Sequence, residues 1–311
     1  MELARDTPTE ARGWPATLQG HIRLHPLTAA GFALALLALL ALLAQSIHQV
    51  ATGAAGAPVQ YALLGGLAGF VTTALGALPA LLLRGIPQKI EDSMLGLAAG
   101  MMLAASAFSL LLPGLEAGAQ LTGGGALGAA VVVAGMALGV LLMLGLDEFT
   151  PHEHEKTGPC GPGHERCSRA WLFVFAIALH NLPEGMAIGV SFAQGDMAVG
   201  IPLTTAIALQ DIPEGLAVAL ALRAAGFAPS TAVLLAAGSG AFEPLGALLG
   251  IGLSSGLAFA YPVGLGLAAG AMLFVVSHEV IPETHRNGHQ TPATIGLMAG
   301  FALMMVLDTT L

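Results

Sequence analysis

The sequence predicts an all-α polytopic membrane protein of about nine transmembrane helices, on three observations. The chain is 55% hydrophobic and only 9% charged over 311 residues, too little polar surface for a dissolved globular domain. Apolar stretches of the about 20 residues needed to cross a hydrocarbon core recur near residues 27–45, 59–83, 93–113, 125–146, 170–192, 199–222, 229–253, 257–280 and 292–309. Threading nine spans through the bilayer places all ten basic residues on one face, as expected when Lys and Arg collect in short cytoplasmic segments.

The elements follow in order. Arg5, Arg12 and Arg23 precede span one, whose basic lead, apolar run and small residues "TGAAGA" also fit a signal peptide. Its apolar core exceeds the roughly 7–15 residues of such a peptide, so a retained helix is expected. Arg84 and Lys89 join spans two and three; Lys156, Arg166 and Arg169 lie in the polar loop at 149–169; Arg223 follows span six and Arg286 span eight. The amino terminus is therefore expected in the cytoplasm and the carboxyl terminus outside. Small residues recur three and four apart, as at Gly266 and Gly270 or Gly296 and Gly300, a spacing that lets helices approach closely. Cys160 and Cys167 share the cytoplasmic loop, where thiols stay reduced. The net charge of −9 disfavours nucleic acid as a partner.

Spans five and six carry matched segments, "ALHNLPEGMAIG" from Ala178 and "ALQDIPEGLAVA" from Ala208. His180 and Glu184 share a helix face at four-residue spacing, as do Gln210 and Glu214, with Asn181 and Asp211 beside them. Pro183 and Pro213 lack the N–H that would bond the carbonyls of Leu179 and Leu209, and Gly185 and Gly215 are expected to keep the neighbourhood open. "AFEPLG" in span seven adds Glu243, followed by Pro244 and an expected unbonded oxygen on Gly240. Consecutive spans run in opposite directions, so the pair forms the centre of an inverted 3+2+3 plan, an arrangement that places transport sites near the midplane.

An ionised acid at the centre of a membrane helix costs at least about 2.5–3.5 kcal/mol. Glu184, Asp211, Glu214 and Glu243 lie inside spans with no Lys or Arg at their depth. Either protons or a bound cation must compensate them, and the mixture of imidazole, amide and carboxylate favours a metal. Met102 in "AAGMMLAASAFS" is a candidate soft ligand, with Ser106 and Ser109 four and seven residues on as a polar track. "SHEVIPETHRNGHQ" carries His278 and Glu279, a candidate handover point for exiting metal; Pro282 occupies the place where H-E-x-x-H would need its second histidine. In the polar loop, His152, His154 and His164 are candidate ligands for loose chelation, without the spacing of a closed zinc module.

These residues resemble the ZIP (Zrt/Irt-like) divalent-metal transporters, in particular their GufA-like bacterial branch, over nearly all of residues 58–311. The resemblance implies two metal sites, one formed by Met102, His180, Glu184, Gln210 and Glu214, the other by Asn181, Glu184, Asp211, Glu214 and Glu243. Glu184 and Glu214 would bridge them. It further implies Zn2+ as substrate, with Cd2+, Fe2+ or Mn2+ as alternatives, and import across a bacterial inner membrane by an elevator-like movement of a homodimer surrounded by lipid. Many members of the family carry histidine where this chain has Gln210. Residues 1–57 would be a cytoplasmic tail and an extra helix before an eight-helix transport domain at 58–311. Two other classes use similar groups: a proton- or sodium-coupled carrier of another solute, and an intramembrane metallohydrolase.

Overall fold

The computed structural model describes residues 22–24, 26–149, 152–154, 158–160, 169–254 and 258–310. The chain runs through α1 (Pro26–Ala51) and α2 (Ala57–Ala77), then α3 (Gln88–Ala104), a π-helical segment (Ala105–Leu111) and α4 (Leu112–Thr122). After α5 (Gly125–Phe149) come α6 (Arg169–Ser191), α7 (Met197–Ala224), α8 (Pro229–Ser239) and α9 (Phe242–Leu253). The last part holds α10 (Ala260–Val275), a second π segment (Val276–Val280), α11 (Ile281–Thr284) and α12 (Gln290–Thr310). In the polar loop, β1 (His152–His154) pairs antiparallel with β2 (Gly158–Cys160), and β1 lies against α6.

Among the described residues, seven helical stretches, at 57–81, 88–122, 125–148, 197–224, 229–253, 260–284 and 290–310, are long and apolar enough to cross a membrane. Helices α1 and α6, of 26 and 23 residues, also exceed the about 20 residues that a crossing requires. This is a multi-pass membrane protein. Local chemistry sets the helix ends: Asp196 caps α7 by accepting the N–H groups of Ala198 and Val199 at 3.0 and 3.4 Å, and Gly123 closes α4 at φ 68°, a conformation that favours glycine.

The helix pairs repeat. Helix α2 packs along α7 and α9 along α6; likewise α3 packs along α12 and α10 along α5. Exchanging α2 with α8–α9, α3–α4 with α10–α11, α5 with α12 and α6 with α7 maps each pair onto its counterpart, which is the 3+2+3 plan. Both middle members carry a π segment, and in each a proline stands two residues past its end, Pro113 or Pro282. A proline cannot donate to the carbonyl four residues back, and a widened turn just before it accommodates the loss.

Close approach of backbones holds these pairs. A Cβ at Gly96 or Gly100 would strike a carbonyl of α12, and one at Gly296 or Gly300 a carbonyl of α3. Gly135 and Gly139 of α5 stand in the same relation to Gly266 and Gly270 of α10, and Gly185 and Gly189 of α6 to Gly246 and Gly250 of α9. The helices thus form two groups, α2 with α6, α7 and α8–α9, and α3–α4 with α5, α10–α11 and α12. Helix α1 docks on the first group, where Ser46 Oγ donates to the Leu248 carbonyl at 2.9 Å. Arg223 ties the last turn of α7 to the segment that follows α2 by donating to the carbonyls of Ala80, at 2.7 Å, and Leu83.

Bulk at these contacts is expected to be costly. Gly270→Val and Gly300→Val should each lower the melting temperature in detergent, since overpacking costs about 1–3 kcal/mol. Gly85→Ala, where nothing lies within 4 Å of the added Cβ, should leave it unchanged. Equal melting of all three variants would contradict backbone contact as the source of cohesion.

Candidate metal centre

The candidate ligands, Met102 apart, come from three helices of the first group. Helix α6 supplies His180, Asn181 and Glu184, and α7 supplies Gln210, Asp211 and Glu214, both continuing as α-helix through their prolines. Glu243 stands in the first turn of α9, just past the Gly240–Ala241 break that separates it from α8. One oxygen from each of Glu184, Asp211 and Glu214 lies within 4.8 Å of the others. Glu184, Gln210 and Glu243 are wholly buried, and Asp211 and Asn181 nearly so.

Neutral donors hold one oxygen of three of these acids. Gln210 Nε2 donates to Glu184 Oε1. Thr72 Oγ1 donates to Asp211 Oδ2 at 3.2 Å, and Thr73 Oγ1 to Glu243 Oε1 at 2.8 Å. Among the described residues, Glu184 Oε2, Glu243 Oε2 and Gln210 Oε1 are buried without a hydrogen-bond partner. Such orphaned acceptors are expensive in a dry interior, a cost that a bound cation would offset.

The other candidates divide. His180 Nε2 pairs with Glu279 Oε2 at 2.7 Å, which links the first ligand set directly to the proposed handover residue across the two helix groups. His278, on the same π segment, is exposed and stacks on Phe274 with ring centroids 4.9 Å apart. Asn181 Nδ2 reaches Ser239 Oγ at 3.5 Å. Met102 is buried and its carbonyl accepts Ser106 Oγ at 2.8 Å, so that hydroxyl is used within its own helix. Ser109 Oγ donates to Asp308 Oδ1 at 2.7 Å. His152 and His154 lie on β1, of which the backbone alone is described, and His164 lies outside the described residues.

Two expectations are corrected. The Gly240 oxygen is not left unbonded beside Pro244: it accepts the N–H of Glu243 at 3.0 Å, because the chain tightens into a turn ahead of α9. Gly185 and Gly215 do not keep space open. A Cβ at Gly185 would meet the Glu243 backbone and one at Gly215 the Thr73 backbone, so these glycines bring the neighbouring helices, with their polar side chains, against the site.

Comparison with known proteins decides the family. Residues 151–308 match the family model described as "ZIP Zinc transporter". The chain is 64% identical to "Zinc transporter ZIPB" of Bordetella bronchiseptica over the whole of both proteins. The chain belongs to the ZIP zinc transporter family. It is also 44% identical to "Zinc transporter GufA" of Myxococcus xanthus, over 82% of this chain and 99% of that one, and 31% identical to "Zinc transporter ZIP11" of Bos taurus, over 82% and 98%. As a ZIP protein it is a transporter and not an enzyme, which removes the metallohydrolase reading.

Sequence reasoning about this ZIP chain missed Thr72, Thr73, Ser239 and Asp92. The two threonines sit in "GFVTTALG", where nothing distinguishes them from hydroxyls bonded to their own helix. Asp92 Oδ1 accepts Gln88 Nε2 and Asn287 Nδ2, both at 3.1 Å, and its Oδ2 pairs with His289 Nδ1 at 2.8 Å. That buried carboxylate, with both oxygens engaged, fastens α3 to the turn before α12. For the metal centre, Glu184→Gln should raise the melting temperature of the metal-free protein, since it removes one of several crowded carboxylates, while abolishing stabilisation by added zinc. A fall in metal-free stability would show that these acids are not under mutual repulsion.

Proposed function

We propose that this protein imports zinc into the cytoplasm of a bacterium through a two-ion site in the inner membrane. The observation that carries the reading is the convergence of the Glu184, Asp211 and Glu214 oxygens within 4.8 Å, with bare oxygens on Glu184 and Glu243 beside them. Carboxylates crowded in a dry interior need a compensating positive charge, and the spans offer none from Lys or Arg at that depth. Imidazole and thioether from His180 and Met102 incline the donor set toward Zn2+, with Cd2+, Fe2+ and Mn2+ as weaker candidates. Relatives whose printed names call them zinc transporters support the choice.

His180, Glu184, Gln210, Glu214 and Met102 hold one ion in this reading, and Asn181, Glu184, Asp211, Glu214 and Glu243 the other, Glu184 and Glu214 bridging. Gln210 meets the first ion through its Oε1, which has no hydrogen-bond partner among the described residues, because its amide N–H groups can only donate and Nε2 is already engaged with Glu184.

Movement follows an elevator-type scheme within a homodimer. The ligands, Met102 apart, belong to the group of α2, α6, α7 and α8–α9. Among the described residues, the glycine contacts between backbones of different helices fall within one group or the other, whereas Gly264 of α10 meets side chains of Ser254 and Val190 across the boundary. Units locked internally by backbone contact and joined through side chains can shift as bodies. The His180–Glu279 pair spans that boundary, so a shift must break it, and Glu279 then stands where a departing ion would be received. His278 and the loop histidines His152, His154 and His164 would meet the ion later, on the cytoplasmic side. The division of the chain at about residue 57 makes α1 an accessory to this transport domain, the amino terminus being cytoplasmic and the carboxyl terminus outside.

Radiolabelled zinc uptake into proteoliposomes tests this reading. His180→Ala and Glu214→Ala should each reduce uptake roughly tenfold or more, the scale of losing a group that holds or orients a metal. Full uptake by both variants would sink the site, and a native chain that takes up no zinc in the same assay would favour a different substrate. Deleting residues 1–55 should leave zinc uptake in place; its loss would make α1 part of the transport machinery.

A further inference from the structure

Helix α2 contributes no ligand to either proposed ion site, yet it presses its most polar turn against the second one. Thr72 and Thr73 are adjacent, so their side chains leave the helix about 100° apart, and each reaches a different acid on a different helix. Thr72 Oγ1 lies 3.2 Å from Asp211 Oδ2 on α7, and Thr73 Oγ1 lies 2.8 Å from Glu243 Oε1 on α9. One turn earlier, Gly69 leaves the space that the Glu243 carboxylate occupies: a Cβ there would coincide with Glu243 Oε2 and stand 3.2 Å from Asp211 Oδ2.

We propose that Thr72 and Thr73 are positioning residues of the second metal site, each holding one carboxylate oxygen so that the other oxygen of Asp211 and of Glu243 is presented to the ion. The proposal rests on the zinc-transport reading of the site. Each hydroxyl also has acceptors in its own helix, since Thr73 Oγ1 is 3.1 Å from the Gly69 carbonyl and Thr72 Oγ1 is 2.9 Å from the same oxygen and 3.0 Å from the Ala68 carbonyl. A hydroxyl has one proton to donate, and a carboxylate kept ionised by a bound cation is the stronger acceptor, so with the ion in place the proton is directed to the acid.

Thr73 is also fixed by its surroundings. It is 4% exposed, its backbone carbonyl abuts Gly215, and a side chain at Gly240 would crowd its Cβ. A β-branched side chain wedged in this way has little freedom at χ1, so its hydroxyl direction is set by packing on both sides. The result is visible on Glu243, whose Oε1 is engaged and whose Oε2 is buried with no partner. Serine at position 73 would keep the donor but lose the γ-methyl that restrains it, and valine would keep the shape but lose the donor.

Equilibrium zinc binding and proteoliposome uptake on native protein, Thr73→Val, Thr73→Ser and Thr72→Val test the assignment. Thr73→Val should weaken binding of one of two zinc equivalents about tenfold to a hundredfold, the usual cost of losing a hydrogen bond to a metal ligand, and leave the other equivalent unchanged. Thr73→Ser should recover most of that loss, and Thr72→Val should weaken the same equivalent through Asp211. Two equivalents bound by Thr73→Val and Thr72→Val with native affinity would overturn the proposal while leaving the zinc reading intact. A native protein that binds no zinc would overturn both. If Thr73→Val fails to fold, native-like binding by Thr72→Val together with equal, unselective weakening of both equivalents by Thr73→Ser overturns it as well.

Discussion

The rest of the structure depends on carboxylates gathered where there is no water to solvate them. Two unit charges of like sign 4 Å apart repel by about 4 kcal/mol at an effective dielectric of 20, and Glu184, Asp211 and Glu214 converge to within 4.8 Å. Neighbouring neutral donors offset only part of this. Gln210, Thr72 and Thr73 each engage one oxygen, leaving bare oxygens on Glu184 and Glu243. A scaffold that keeps such groups together in the absence of an ion must be held by something other than the site itself.

That something is backbone packing. Lipid offers apolar side chains no gain from burial against one another, so close contact and hydrogen bonding carry helix association. Paired glycines let α3 meet α12, α5 meet α10 and α6 meet α9 at backbone distance. At the site the same device has a second effect: Gly185 and Gly215, the last letters of the two P-E-G motifs, draw in Glu243 and Thr73 respectively. The cohesion of the bundle and the gathering of the buried acids therefore rest on the same contacts.

The two halves of the molecule share a scaffold and differ in chemistry. Each has a middle helix with a π segment ahead of a proline, and four residues before that proline stands Ser109 in one half and His278 in the other. Likewise α6 offers His180 and Asn181 where α7 offers Gln210 and Asp211. The symmetric frame provides two similar bodies, and the side chains make one end of the path unlike the other. His180 turned toward Glu279 is the clearest sign of that polarity.

The spans, the plan of three, two and three, and the acids of the two motifs were legible in the sequence because each is written locally: apolar length, the placement of ten basic residues, and four-residue spacing on one helix. Tertiary structure alone decided which helix faces which. Thr72 and Thr73 lie 139 and 170 residues from the acids they hold, and Asp92 lies 197 from His289. A hydroxyl near a membrane helix's own carbonyls carries no local mark of a distant partner. The space at Gly185 and Gly215 was misjudged for the same reason, since whether a missing side chain leaves a gap or admits a neighbouring backbone depends on helices encoded elsewhere in the chain.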